Sequence, residues 1–340
     1  MRTAVVILNW NTKDYLRKFL PGMVASCEGL DAGIVVADNA STDGSVEMLE
    51  SEFPEVAIVA LDNNFGFTGG YNRAFQVIEA EYLVLINSDI EVPKDWLHPL
   101  VAWMDSHPEC GACGPKLLSY TDRDTFEYAG AAGGYLDRYG YPFCRGRLMN
   151  RVEKDHGQYD APEDLFWVSG ACLIVRSALW KQLGGLDERF FVHMEEIDLC
   201  WRMQLAGYTV ACVPSSRVWH IGGGTLPQTS ERKLEYNYRN NLLMLENNLA
   251  ASFKAADEHS GKDTRYHRKA ARRIFVRMVL DGCSALVYLF SGRGKAFLAV
   301  IRAHRSFRSL RRRKDISAQG PAQICGWYRG WIVPKGIFRR

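Results

Sequence analysis

No stretch of the 340-residue chain reaches the roughly 18 uninterrupted apolar residues that a membrane-spanning helix requires, so no crossing is expected. The opening "MRTAVVILNWN" passes from one basic residue into a short apolar run and lacks a small-residue cleavage site; it reads as a strand, not a signal peptide. Nine cysteines follow no repeating spacing. The close pair Cys110-Gly-Ala-Cys113 has no second pair to complete a zinc ribbon, which leaves buried free thiols in a reducing compartment as the expectation. There is neither a GxGxxG turn nor a Walker loop, so a dinucleotide-binding fold and a P-loop ATPase are poorly supported. No recognised nucleic-acid reader accompanies the basic residues, and no nucleic-acid partner is expected.

What is present is a core-forming composition, 47% hydrophobic and 24% charged, with an uneven charge distribution. Residues 1–250 hold 21 Lys and Arg against 34 Asp and Glu; residues 251–340 hold 21 against 5. The two parts face different partners. In the first part apolar, β-branched runs alternate with helical patterns. Strands are predicted over Ala4–Leu8, Gly33–Ala37, Val56–Ala60 and Tyr82–Ile86, with helices over Asp14–Met23, Ser45–Glu52 and Gly70–Ala80. This βα repetition predicts an α/β fold, a mainly parallel sheet with helices on both faces.

Ligands of such sheets bind at the carboxyl ends of the strands. Each predicted strand ends there in polar residues: Asn9 and Asn11, then Asp38-Asn39-Ala40-Ser41-Thr42-Asp43, then Asn63-Asn64, then Asn87-Ser88-Asp89. Any one tip reads equally well as turn and capping chemistry. Four in succession define a rim. Gly66, Gly69 and Gly70 in "NNFGFTGGYNRAF" allow backbone to approach a ligand closely.

The segments "VVILNWNTKDYL", "VVADNASTDGS", "NNFGFTGGYNRAF" and "YLVLINSDIEVP", in this order, resemble the nucleotide-sugar half of a family 2 inverting glycosyltransferase with the GT-A fold, closest in character to rhamnosyltransferase-like bacterial members. Further on, "FWVSGACLIVRSALWKQLGGLDERFFVHMEEIDLCWRMQLAGY" resembles the family's acceptor-side segment with its acidic pair, and "VPSSRVWHIGGGT" the segment with a metal-binding histidine. The resemblance covers about residues 3–245. It implies a nucleotide-sugar site from Asn9, Asn11, Asp38, Asn64, Gly66, Asn72, Asn87, Ser88 and Asp89, with Asp38 on a uracil or thymine ring. A divalent cation, Mg²⁺ or Mn²⁺, is expected on Asp89 and His220, with Gly222, Gly223 and Gly224 folding over the diphosphate. Relatives usually carry Asp-x-Asp where this chain has Asn87-Ser88-Asp89, one charge fewer. Glu196 is the expected general base, Glu195 its alternate, and Trp167 and Gly170 are expected to floor the acceptor site. His193 reads as packing or acceptor contact, and Asp198 as a solvated helix partner of Arg202.

Three regions are expected: a GT-A domain over 1–230, a connecting helix over 231–250, and a basic amphipathic helical region over 251–340. In the last, Arg268, Arg272, Arg273 and Arg277 lie beside Phe275, Val279, Leu286 and Phe290, a pattern drawn to anionic membrane surfaces. A solvated face or a homodimer contact is the other reading. The expected activity is metal-dependent transfer of a sugar, such as rhamnose, from a dTDP- or UDP-sugar to a glycan or lipid-linked acceptor in cell-surface polysaccharide synthesis. The expected location is cytoplasmic, peripheral at the inner face of the membrane. A sugar nucleotidyltransferase and a non-catalytic glycan-binding protein are the alternatives; "ILNWNTKDY" lacks the Gly-rich basic loop of the former.

Overall fold

The computed structural model describes residues 1–222, 230–257, 262–312 and 324–338. The amino-terminal half alternates as read from the sequence: β1 (Thr3–Asn9), α1 (Lys13–Cys27), β2 (Ala32–Asp38), α2 (Ser45–Glu52), β3 (Ala57–Ala60), α3 (Gly66–Val77) and β4 (Tyr82–Ile86). β1 and β4 are almost wholly apolar and buried because helices cover both faces of the sheet. Helix α3 starts four residues before the expected Gly70. Gly66 turns the chain with φ +70°, and the amides of Phe67 and Thr68 then bond the carbonyl of Phe191.

The chain continues through β5 (Ile90–Glu91), α4 (Leu97–Ser106) and β6 (Cys110–Ser119). Short strands β7 (Gly134–Asp137), β8 (Pro142–Cys144), β9 (Arg147–Leu148) and β10 (Arg151–Val152) form a second sheet, and β11 (Glu163–Asp164), β12 (Cys172–Arg176), α5 (Ser177–Leu183), α6 (Glu195–Leu205) and β13 (Thr209–His220) complete the main one. The main sheet runs β11-β13-β6-β12-β4-β1-β2-β3, with β5 paired to β13. It is parallel from β4 to β3, while β12 lies antiparallel between β4 and β6. Leu16, Leu49 and Leu100 pack one face; Tyr71, Trp201 and Leu242 belong to the core on the other.

The carboxyl-terminal region is helical: α7 (Glu231–Ala255), α8 (Asp263–Phe290) and α9 (Gly294–Leu310) pack on one another, followed by β14 (Trp327–Tyr328) and α10 (Ile332–Phe338). α7 packs over α6, so Asp198 is fully buried rather than solvated. It pairs with Arg202 at 2.8 Å as the spacing suggested, and also accepts from Asn247 and Asn248. Arg277 likewise leaves the basic face: it is buried over the Tyr141 ring and paired with Asp281 at 2.8 Å. Among the described residues no helix is long and apolar enough to cross a membrane, and the nine cysteines are free thiols, seven of them buried.

Candidate active site

Strand register builds the rim. Asn9 stands opposite Asp38 across β1 and β2, and Ile7 opposite Ile86 across β1 and β4, so all three strands end at one level. Beyond these tips opens a cleft of about 720 Å³, within the usual range for ligand sites. At its floor β13 runs antiparallel to β5, with His220 opposite Ile90, and this pairing carries the imidazole to Asp89 from 131 residues away.

His220 Nε2 lies 3.1 Å from Asp89 Oδ1 and 3.4 Å from Asn87 Nδ2; Nδ1 lies 3.5 Å from Glu127 Oε1. Burial opposes charge on the ring, but the carboxylates of Asp89 and Glu127 outweigh it and raise the His220 pKa to about 10. Burial opposes charge on Asp89 too. The His220 contact prevails and holds the carboxyl below its ordinary value.

Asp89 and His220 would be the residues to hold a divalent cation, once it displaces the proton that the carboxylates keep on the ring. A cation held there would take one oxygen and one nitrogen from the protein. Among the described residues no group of three or more His, Cys, Asp or Glu is arranged to hold a metal. Of the glycines expected to close over the site, Gly222 borders the cleft, and Gly223 and Gly224 lie outside the described residues.

The acidic pair opens α6 after three irregularities within four residues: Phe191, His193 and Met194 all have positive φ. Such backbone persists only where surroundings enforce it. Here Asn240 of α7 donates to the carbonyls of Phe190 (2.9 Å), Val192 (2.7 Å) and His193 (2.8 Å), and Arg239 adds a bond to Phe190. Both Glu195 and Glu196 border the cleft, although their 100° divergence on a helix favoured only one. Burial raises Glu196 to about 7; burial and the Glu196 charge lift Glu195 well above the carboxylate range. Each keeps one buried carboxylate oxygen without a hydrogen-bond partner among the described residues. A side chain at Gly170 would come within 3.3 Å of Glu196 Cβ, so glycine there lets the Glu196 stem pack closely against the backbone. Burial, aided by Lys233, lowers the His193 pKa to about 4, leaving a neutral ring in the cleft wall.

Of the residues read from the sequence, Asn64, Gly66, Asn87, Ser88, Asp89, Trp167, Gly170, Glu195, Glu196 and His220 border this cleft. Asn9, Asn11, Asp38 and Asn72 are not among its lining residues. Asn9 donates to Asp38 (2.7 Å), whose other oxygen takes the Ser41 amide (2.9 Å); Asn11 accepts from the Thr42 amide (2.7 Å). Asn72 clamps both backbone polar groups of Leu186. Trp167 is largely core: its ring covers Gly134 and its indole N–H bonds the Tyr135 carbonyl. Sequence reasoning passed over Asn39, which borders the cleft and ties Asn64 to Gly66, and Glu127, whose Oε2 accepts the amides of Ala129 and Gly130. A lone Glu in a Gly/Ala-rich segment gave no signal; the Asx-rich tip around Asn39 did.

A sheet of this order, with a polar rim and an acidic helix facing it, defines the GT-A glycosyltransferase fold. Residues 4–183, more than half of the chain, match the family model described as glycosyl transferase family 2, and the chain belongs to that family: it is a glycosyltransferase, with rhamnosyltransferases among its relatives. It is 25% identical over 275 residues to an N-acetylglucosaminyl-diphospho-decaprenol L-rhamnosyltransferase of Mycobacterium tuberculosis, covering 76% of this chain and 85% of the relative. It is 22% identical to the rhamnosyltransferase WbbL of Escherichia coli, covering 64% and 82%. In fold it is similar to the mannosyltransferase PcManGT of Pyrobaculum calidifontis, solved with GDP-Man and Mn²⁺ (TM-score 0.53, 15% identity, covering 90% and 87%).

Proposed function

We propose that the enzyme transfers a sugar, such as rhamnose, with inversion from a dTDP- or UDP-sugar to a glycan or lipid-linked acceptor. The observation that carries this reading is one cleft bordered both by the Asp89–His220 pair and by Glu196, a carboxylate whose pKa lies near neutrality. The nucleotide lies over the β2–β3 tips, where Asn39 and Asn64 are fixed by their mutual bond and Asp38 stands behind them on Asn9. Transfer is a single displacement. The acceptor hydroxyl attacks the anomeric carbon from the face opposite the diphosphate and gives its proton to Glu196. The bond from that carbon to the phosphate oxygen breaks, and the nucleoside diphosphate departs with its electron pair. A divalent cation, when bound by Asp89 and His220, neutralises negative charge on the diphosphate. Gly170 packs against the Glu196 stem, and buried Trp167 stiffens the floor beneath it.

A lipid-linked acceptor agrees with α8, where Phe275, Val279, Leu286 and Phe290 are exposed on one face and Arg268 and Arg272 continue that face toward the helix start. This face would rest on an anionic membrane surface. Release of nucleoside diphosphate from a panel of UDP-, dTDP- and GDP-sugars, with Mn²⁺ and with chelator, tests the donor class; the anomeric configuration of the product, read by NMR, tests inversion. No release from any donor would refute the reading.

A further inference from the structure

The carboxylate of Glu127 has no part in the transfer reaction, yet the fold sets it with care beside a residue that does. Both are registered to β6. Leu118 of that strand pairs with Trp219 of β13 on one edge and bridges Phe126 on the other, and the Glu127 amide donates to Leu117 O at 3.0 Å. His220 stands opposite Ser119. One strand thus sets the position of two buried side chains that approach from its opposite edges, and it brings Glu127 Oε1 to 3.5 Å from His220 Nδ1.

The rest of the Glu127 carboxylate is occupied. Oε2 accepts the amides of Ala129 (2.6 Å) and Gly130 (2.9 Å), and a Cβ on Gly222 would lie 3.2 Å from Oε1. Arg147 and Lys233 are charged neighbours of Glu127, but among the described residues His220 is the basic side chain within ion-pair distance of it. The 3.5 Å contact is longer than a hydrogen bond, and His220 Nδ1 has no other partner among the described residues. An ionised carboxylate only accepts, so Nδ1 can meet Glu127 only as a donor. The ring nitrogen that keeps its proton is set by the partner it finds, and a buried N–H without one is costly. Nε2, at 3.1 Å from Asp89 Oδ1, is then the nitrogen whose lone pair can be freed.

We propose that Glu127 is a positioning residue: it keeps the His220 proton on Nδ1 and so turns the Nε2 lone pair toward the divalent cation beside Asp89. Glu127 does not hold the cation itself, because Oε1 lies on the far nitrogen of the ring and Oε2 on two amides. This rests on the cation step of the proposed transfer, in which Asp89 and His220 share the metal.

Glu127→Gln tests it on the full chain. The glutamine oxygen can take over the amides of Ala129 and Gly130, which leaves its NH₂ facing Nδ1; Nδ1 must then accept, and the proton goes to Nε2, where it blocks the cation. Mn²⁺ titrated into UDP-saturated protein, followed by the EPR signal of free Mn²⁺, should bind about 10- to 100-fold more weakly to Glu127→Gln than to wild type. UDP affinity measured with chelator should stay within about twofold. Nitrogen-15 NMR of histidine-labelled wild type with UDP and diamagnetic Mg²⁺ should show the His220 proton on Nδ1, the signals being assigned by their loss in His220→Ala. That readout needs no change at Glu127, so it decides the matter even where Glu127→Gln loosens residues 127–130. A proton on Nε2 in that complex, or a Mn²⁺ affinity of Glu127→Gln within about twofold of wild type, would overturn the proposal and leave Glu127 as a pin for its own loop. Wild-type protein that binds no Mn²⁺ with UDP present would refute the cation step of the transfer reaction and this proposal together.

Discussion

The two ends of the cleft are built in opposite ways. At the strand-tip end almost every polar side chain is satisfied by another: Asn9 by Asp38, Asp38 by Ser41, Asn39 by Asn64 and Gly66. At the acidic-helix end the side chains keep open valences: an oxygen each on Glu195 and Glu196, and Nε2 of His193. The first end is a frame whose shape is fixed before any ligand arrives, in the sense that preorganised sites limit the cost of binding. The second is held by its backbone, through Asn240, while its side chains are left for substrate.

That contrast predicts where substitutions damage chemistry and where they damage binding. The largest effect is expected at Glu196. Glu196→Gln should lower turnover roughly 10²- to 10⁴-fold with donor affinity nearly intact, and a crippled Glu195→Gln beside a mild Glu196→Gln would move the base by one residue. Next come Asp89→Ala and His220→Ala, each expected to weaken Mn²⁺-dependent UDP binding by about tenfold or more. The double mutant should be little worse than the more damaging single, because one shared site cannot be lost twice; fully additive losses would separate the two residues. Asn240→Ala should cost about 1–3 kcal/mol of stability by removing its bonds to the Val192 and His193 carbonyls, while Phe190 keeps Arg239. It should also lower kcat more than it raises the donor KM, which would show that the backbone clamp serves the acidic end alone. Phe275→Ser with Phe290→Ser should reduce binding to anionic liposomes several-fold without lowering the melting temperature, since both rings are exposed. Deleting α8 would not give so clean a result, because Tyr266, Ala270 and Ile274 belong to the core. The smallest effect concerns pH. A protonated Glu196 accepts nothing, so turnover should rise with pH and reach about half its plateau near pH 7, a limb that Glu196→Gln should lack.

The frame end was legible in the sequence because it is local: a buried run, a polar tip and a helix repeat within a few dozen residues, and period and tip chemistry suffice to read them. The Asp89–His220 pair spans 131 residues and was read only through family resemblance; the antiparallel pairing of β13 with β5 is what unites it. Glu127 was not legible, since its place beside His220 depends on the chain between β6 and β7, which has no periodicity. Asp198 and Arg277 were misplaced in the other direction. Helical spacing gave their partners or faces correctly in isolation, but the packing of α7 and α8 buried both, and no pattern within a single helix reveals what will cover it.

The carbonyl of Phe191 accepts the amides of Phe67 and Thr68, and so hooks the first turn of α3 to the loop that aims the acidic pair. Gly66, one residue earlier, has no room for even a methyl group against that same phenylalanine. One peptide unit thus joins the start of α3 to the loop before the acidic pair, and on the proposed reaction these are the donor side and the base side. If residues 64–68 hold the donor as proposed, changes there should disturb turnover together with donor selectivity, because they would shift Phe191 and the loop that carries the acidic pair. The tip of β2 is tied into the same unit, since Asn39 bonds Asn64, Phe65 and Gly66.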